Sequence, residues 1–359
     1  MTTRFRIEML PARHGDCLWI EYGDPDAPHR VLIDGGTTGT YDRLRERLLA
    51  LPHGQRRLEL LVVTHIDADH IEGVLKLLED DGLSVCFGDI WFNGWRHLPG
   101  SQLEEFGPVQ GERLSAHLDA AGLPWNQSFN RKRVCATEGD GLISRSLPGG
   151  LALTLISPGT AELTALRPVW ERECRRAGLD PSQPPPAEEP LPPGIEVMGP
   201  LDIDALAASP FEGDHSAANG SSIALLAEFD GRRALLAGDA YAEVLLAGIQ
   251  RLTDNAPGQR LRLDAFKVPH HGSKANVNRE LLDRLECPRF LISTDGTRFR
   301  HPDREAIARI VKFSPTPPEL VFNYRTEFNA VWDQPRLMNR HAYRVRYPAD
   351  GEEGLVVDL

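Results

Sequence analysis

Thr64-His65-Ile66-Asp67-Ala68-Asp69-His70 places four potential metal ligands within six residues, between two segments of different periodicity. Before it, residues 58–63 form a short apolar run rich in Leu and Val, which predicts a buried strand. After it, Ile71, Val74, Leu75 and Leu78 repeat at helical spacing. The cluster therefore sits on a strand-to-helix turn at the carboxyl end of a strand, where open α/β sheets place their chemistry. In an extended tip, alternate residues point the same way, so His65, Asp67 and Asp69 converge and His70 reaches back from the helix. Four imidazole and carboxylate groups exceed what one catalytic ion with an open position takes. They suit two ions sharing a hydroxide. The plainer alternative is a solvated polar turn with Asp67 or Asp69 as a cap, which leaves the histidines without a role.

The chain has 359 residues, 41% of them apolar, which is enough for a sizeable core. The net charge of -12 argues against broad nonspecific nucleic-acid binding, because phosphate contacts need a positive field. It leaves room for a local basic groove beside a pair of cations. Cys17, Cys86, Cys135, Cys174 and Cys287 are scattered, without paired metal spacing, and predict reduced, buried thiols. The first residues have no signal-peptide core, and no run is long and apolar enough to span a membrane. These features predict a soluble cytoplasmic protein without a membrane partner.

His65-x-Asp67-x-Asp69-His70 resembles the central motif of the metallo-β-lactamase-fold hydrolases. The usual form has His at the second ligand position. The Asp67 version is similar to the branch holding ComEC-like hydrolase domains and phosphorylcholine esterase. The resemblance implies an α/β fold, an αββα sandwich of two mixed β-sheets flanked by helices. Strand and helix signals alternating along the chain agree with it. It further implies one domain over residues 1–359, with an insertion at about 158–218 that contains the Pro-rich, acidic run 181–194. That run reads as an exposed loop and as a candidate contact for a protein partner.

The resemblance extends to later motifs. Asp34, ending the strand 31–33 in Asp-Gly-Gly, is implied to support the metal site from behind; an ordinary strand-ending turn is the alternative. His14 and Asp16 resemble the early Gly-Asp motif near the site mouth. Asn219-x-x-Ser222 and Gly238-Asp239 match the next motifs, with Asp239 the implied bridging carboxylate and Asn219 a supporting residue. The alternative for Asp239 is a cap of the helix 241–252. His270 and His271 are adjacent, and in an extended segment they point to opposite sides, so one is a ligand and the other meets substrate. The resemblance assigns the ligand to His271 and the phosphate or leaving-group contact to His270. Lys267 and Lys274 add positive charge that suits a phosphate. His301, in a His-Pro pair, is either a substrate contact and proton donor or a cap of the helix 303–313. The family's third histidine has no clear match; His215 is the histidine nearest Asn219 and carries no motif.

The implied metal ligands are thus His65, Asp67, Asp69, His70, Asp239 and His271, and the implied catalytic residues are Asp69, His270 and His301. They would hold two divalent ions, Zn²⁺ or Mn²⁺, with Fe²⁺ a competitor because the set is rich in carboxylates. The expected reaction is hydrolysis of a phosphodiester, nucleic acid among the candidates, by a metal-bridging hydroxide. Two alternatives stay open: hydrolysis of carboxylic esters, lactones or thioesters, and a metal-stabilised interaction module without turnover.

Overall fold

The computed structural model describes residues 3–100, 109–138, 141–177, 201–253, 256 and 258–359. Two large sheets carry the molecule. Their strands are β1 (Arg4–Met9), β2 (Leu18–Gly23), β3 (His29–Ile33), β4 (Leu60–Val62), β5 (Ile90–Trp91), β6 (Ser144–Ser146), β7 (Ala152–Ser157), β8 (Ala224–Phe229), β9 (Arg232–Leu236), β10 (Ala265–Lys267), β11 (Arg289–Ile292), β12 (Glu319–Phe322), β13 (Arg344–Arg346) and β14 (Leu355–Asp358). The six-stranded sheet runs β14-β1-β2-β3-β4-β5, and the eight-stranded sheet runs β13-β12-β11-β10-β9-β8-β7-β6. Each is mixed. β1 pairs antiparallel with β14 and β2, whereas β3, β4 and β5 are mutually parallel. β6 to β9 are antiparallel neighbours, and β9 to β13 are parallel.

Alternation along the strands decides what each face meets. Ile7, Ile20, Val31, Leu60 and Val62 of the first sheet pack against Leu225, Ala234, Leu236, Ala265, Leu291 and Val321 of the second. The residues between them point outward. Trp19, Leu32 and Leu61 meet α1 (Tyr41–Leu49), α2 (Ala68–Glu79), α3 (Val109–Ala120) and α4 (Thr160–Ala177). Leu235, Phe266, Phe290 and Leu320 meet α5 (Ala242–Leu252) and α6 (Arg304–Phe313). Helices therefore cover both outer faces of a two-sheet core, which is the αββα sandwich expected from the sequence.

Some expectations need correction. The run 85–93, whose apolar residues predict one strand, forms two: Cys86–Phe87 and Ile90–Trp91 are separate, in different sheets. Asp89, between them, accepts hydrogen bonds from Ile90 N, Trp91 Nε1, Gln127 N and Ser128 N, and so turns the chain toward 127–128. Cys17, Cys135 and Cys287 are buried as expected, but Cys86 is exposed. The Pro-rich run 181–194 lies outside the described residues.

α2 starts against bare backbone. A Cβ on Gly73 would lie 1.9 Å from the carbonyl oxygen of Gly35, and one on Gly15 would lie 1.8 Å from that of Asp69. Gly73→Ala would ordinarily favour a helix by about 1 kcal/mol. Here it is expected to destabilise the protein by about 1–3 kcal/mol, as overpacking does. Urea unfolding checks the sign.

Candidate metal centre

The candidate residues follow the carboxyl ends of neighbouring strands. Asp34 follows β3, the 65–70 cluster follows β4, Asp239 follows β9, and the two histidines follow β10. Asp34 is the hub behind the cluster. Its Oδ1 accepts from Thr64 N at 2.8 Å, and its Oδ2 accepts from Thr64 Oγ1 at 2.7 Å and from His70 Nδ1 at 2.8 Å. It holds φ of 59°, a left-handed value uncommon for a side chain other than glycine. Strained backbone of this kind collects at functional sites.

These contacts set the tautomers. Thr64 Oγ1 spends its proton on Asp34, so at 2.9 Å it accepts from His65 Nδ1. His271 Nδ1 donates to the Ser293 carbonyl at 2.8 Å. All three rings therefore carry a proton on Nδ1. Their Nε2 atoms are buried and have no hydrogen-bond partner, and neither does Asp239 Oδ1. Asp239 Oδ2 lies 3.4 Å from His70 Nε2, 3.6 Å from His271 Nε2 and 3.9 Å from His65 Nε2. Asp69 Oδ2 lies 3.6 Å from His271 Nε2 and 4.0 Å from His70 Nε2.

Lone pairs facing carboxylates in a dry site repel unless a cation stands between them. In the protein alone that cation is a proton. Burial works against charge on His70 and His271, but the surrounding carboxylates outweigh it. Asp239, Asp34 and Asp69 raise His70 well above its ordinary value, and Asp239 and Asp16 push His271 up to about 10. Burial likewise works against the carboxylates of Asp69 and Asp239, yet the imidazoles hold both below the usual range. Divalent ions satisfy the same atoms without extra protons, and imidazoles held through Nδ1 are the usual form of metal-binding histidine. The donor set thus fits metal. Among the described residues, the groups able to hold an ion are His65, His70 and Asp239; Asp69, His70 and His271; Asp16, Asp34 and His70; and Asp16, Asp239 and His271.

The other expected residues stand at the margin. Asp67 is 42% exposed in its side chain, and its Oδ2 is 3.6 Å from His65 Nε2. It is the N-cap residue of α2 but makes no capping hydrogen bond with its side chain. The cap alternative also fails for Asp239, because Tyr241 is the N-cap residue of α5, and for His301, because Asp303 is that of α6. Asn219 donates through Nδ2 to Asp214 at 2.7 Å and lies 3.3 Å from His270 Nδ1. His301 is buried, its ring 5.3 Å from that of His270. His215 is exposed and belongs to none of the groups above.

His270 and His271 do not lie in an extended segment. Pro269–Gly272 is a 3₁₀ turn with φ of 47° at His270 and 54° at His271, which aims both rings toward Asp239. His270 Nε2 is 4.0 Å from Asp239 Oδ2, yet His270 joins none of the ligand groups. Lys267 also departs from expectation. It is fully buried, and its Nζ is 2.5 Å from Asp16 Oδ2, so its charge is engaged by a buried carboxylate. Asp16 lies beneath the site rather than at its mouth, with Oδ1 3.5 Å from His271 Nδ1.

Asp214 carried no motif and was missed. Its Oδ2 lies 3.3 Å from His270 Nδ1 and accepts from Asn276 Nδ2 at 3.1 Å. Burial pushes its carboxyl up, but hydrogen bonds from His270, Asn219, Ser216 N and Asn276 bring it down to about 2. Ser222 was seen only as part of a motif. Its Oγ lies 3.2 Å from His65 Nδ1 and accepts from Asp239 N at 3.1 Å, tying two candidate ligands together.

Among the described residues no helix is long and apolar enough to cross a membrane. ComE operon protein 3 from Bacillus subtilis (strain 168) is 28% identical over 120 residues, which cover 33% of this chain and 15% of that protein. The chain thus spans a small part of that relative's length. The metallo-beta-lactamase fold protein YhfI from Bacillus subtilis is similar at 10% identity with a TM-score of 0.41, covering 100% of both chains. The diiron β-hydroxylase CmlA from Streptomyces venezuelae is similar at 14% identity with a TM-score of 0.41, over 100% of this chain and 55% of that one. The model of the metallo-beta-lactamase superfamily matches residues 11–130, the segment that holds Asp34, His65, Asp69 and His70.

Proposed function

We propose that this protein is a metal-dependent hydrolase of phosphodiesters, with His65, Asp67, Asp69, His70, Asp239 and His271 as the ion-holding residues. One observation carries the reading: three buried Nε2 atoms converge with the Asp69 and Asp239 carboxylates, and none has a hydrogen-bond partner. Bound divalent ions supply a hydroxide at neutral pH and charge to stabilise a phosphoryl oxygen. The protein's own part is to hold the ligands in one tautomer and to position substrate.

His270 is the residue for the second task. Its side chain is 22% exposed, whereas those of His65, His70 and His271 are at most 1% exposed. Its Nδ1 lies 2.9 Å from Asn276 Oδ1, beside Asp214, and its Nε2 faces the Asp239 side of the site. It is placed to hydrogen-bond a phosphoryl or leaving oxygen. Asp214→Ala should then lower kcat by about 10–100-fold, the usual range for partners that orient a functional histidine. Metal content, measured by mass spectrometry, should not change.

The test of the whole reading is turnover of bis-p-nitrophenyl phosphate, single-stranded DNA and double-stranded DNA beside p-nitrophenyl acetate. Metal-stripped protein is assayed with and without Mn²⁺ or Zn²⁺. Phosphodiester cleavage that returns with the ion is expected. Acetate cleavage alone would transfer the same residues to acyl-ester hydrolysis, and ion binding without any turnover would make the site a structural one.

A further inference from the structure

Phe299 is 41% exposed at the tip of a loop after β11. That loop is fastened rather than loose. Asp295 N donates to Arg13 O at 2.8 Å, Thr297 N and Oγ1 donate to Asp295 Oδ1 at 2.9 and 2.7 Å, and Arg300 N donates to Gly296 O at 3.0 Å. Gly296 has φ of 75° and lies so close to Phe328 that a Cβ would sit 2.2 Å from that ring. The protein therefore holds a large apolar side chain in solvent on a rigid support.

A single exposed apolar residue needs no explanation. This one belongs to a row of rings that leads into the site. Phe299 lies 6.2 Å from His14 and 5.9 Å from His301, and His301 lies 5.3 Å from His270. Among the described residues, Phe211, the other exposed aromatic of this size, has no ring contact to these histidines.

The Arg298 guanidinium carbon sits 4.7 Å from the centre of the Phe299 ring. A ring already facing one cation is a poor seat for a second, which disfavours a quaternary ammonium. A planar, electron-rich ring suits a phenyl and guanidinium pair, as unpaired bases do on aromatic and arginine platforms.

We propose that Phe299, with Arg298, is the stacking platform for an unpaired nucleobase adjoining the scissile phosphate, which makes the substrate a nucleotide phosphodiester or a single strand. This inference rests on the phosphodiesterase reading for its scissile phosphate. His301 and His14 set the distance between base and phosphate.

Two measurements separate the inference from that reading. The first compares thymidine 5′-p-nitrophenyl phosphate with methyl p-nitrophenyl phosphate, which lacks a base. Phe299→Ala should raise KM for the thymidine ester about tenfold, within the range of base stacking on an aromatic ring. It should leave kcat/KM for the methyl ester within about twofold, and Phe299→Trp should restore the thymidine ester. The second is calorimetric binding of thymidine 5′-monophosphate to the metal-loaded chain and to Phe299→Ala. If neither ester is hydrolysed but binding still weakens about tenfold in the variant, hydrolysis falls and the platform stands. Equal effects on both esters, or unchanged KM and binding in Phe299→Ala, overturn the platform whatever the enzyme hydrolyses.

Discussion

Lys267→Met is expected to lower stability by about 3–5 kcal/mol, the range for removing one partner of a buried ion pair. Lys267 is fully buried, with Nζ 2.5 Å from Asp16 Oδ2. Asp16 is 1% exposed. Burial pushes its carboxyl up, and the charges of Lys267 and His271 bring it down to about 2. Methionine keeps much of the lysine side chain's length and apolar volume, so the loss reports an orphaned carboxylate more than a cavity. Adding Asp16→Asn removes the orphan's charge, and the double variant should recover much of the loss. Urea unfolding of the four proteins completes the cycle. Strictly additive losses would show that Lys267 and Asp16 do not act as a pair.

Metal-free protein is expected to lose stability as pH rises from 6.5 toward about 10, while metal-loaded protein gains relative to it. The sign follows from the direction of the shifts. His271, at about 10 in the folded protein against an ordinary 6.5, binds its proton more tightly folded than unfolded. His70 is raised in the same direction. Such a contribution is complete below the unfolded value and is lost as pH climbs through the folded one. The depressed carboxylates of Asp69 and Asp239 act at the opposite end, where their contribution is lost as pH falls through their folded values. Ions displace the protons on Nε2, so their affinity increases across the histidine window. Thermal unfolding with chelator and with Mn²⁺ checks this at about pH 7 and about pH 9, two points placed inside that window. The rise in Tm on adding the ion should be much larger at the higher pH. Equal rises would mean that the ion binds away from these imidazoles.

What was legible in the sequence was local. His65, Asp69 and His70 lie within six residues on a turn whose flanks announce a strand and a helix, so spacing alone brings them together. Asp34, Asp239 and His271 each end or follow a strand, and the motif around each marked it. The two-layer fold was legible because strand and helix signals alternate along the chain and its motifs resemble those of a known fold family. The residues that were missed or misplaced depend on contacts between distant segments. Lys267 meets Asp16 across about 250 positions, and nothing near either says that the lysine points inward. Asp214 acquires its role from His270 and Asn276, which reach it only when β8 and β10 are in place. The left-handed backbone at His270 and His271 overrode the expectation of opposed side chains, since φ at a non-glycine residue is not written in its neighbours.

The most direct test counts ions and turnover on one sample. Metal-stripped protein is titrated with Mn²⁺ or Zn²⁺, and bound ion and bis-p-nitrophenyl phosphate hydrolysis are followed together, beside Asp239→Ala. About two ions per chain are expected, as in two-metal hydrolases. Hydrolysis should appear as they bind, and the variant should lose both tight binding and turnover. Hydrolysis that persists in the stripped protein, or two ions bound with unchanged affinity by Asp239→Ala, would contradict the account.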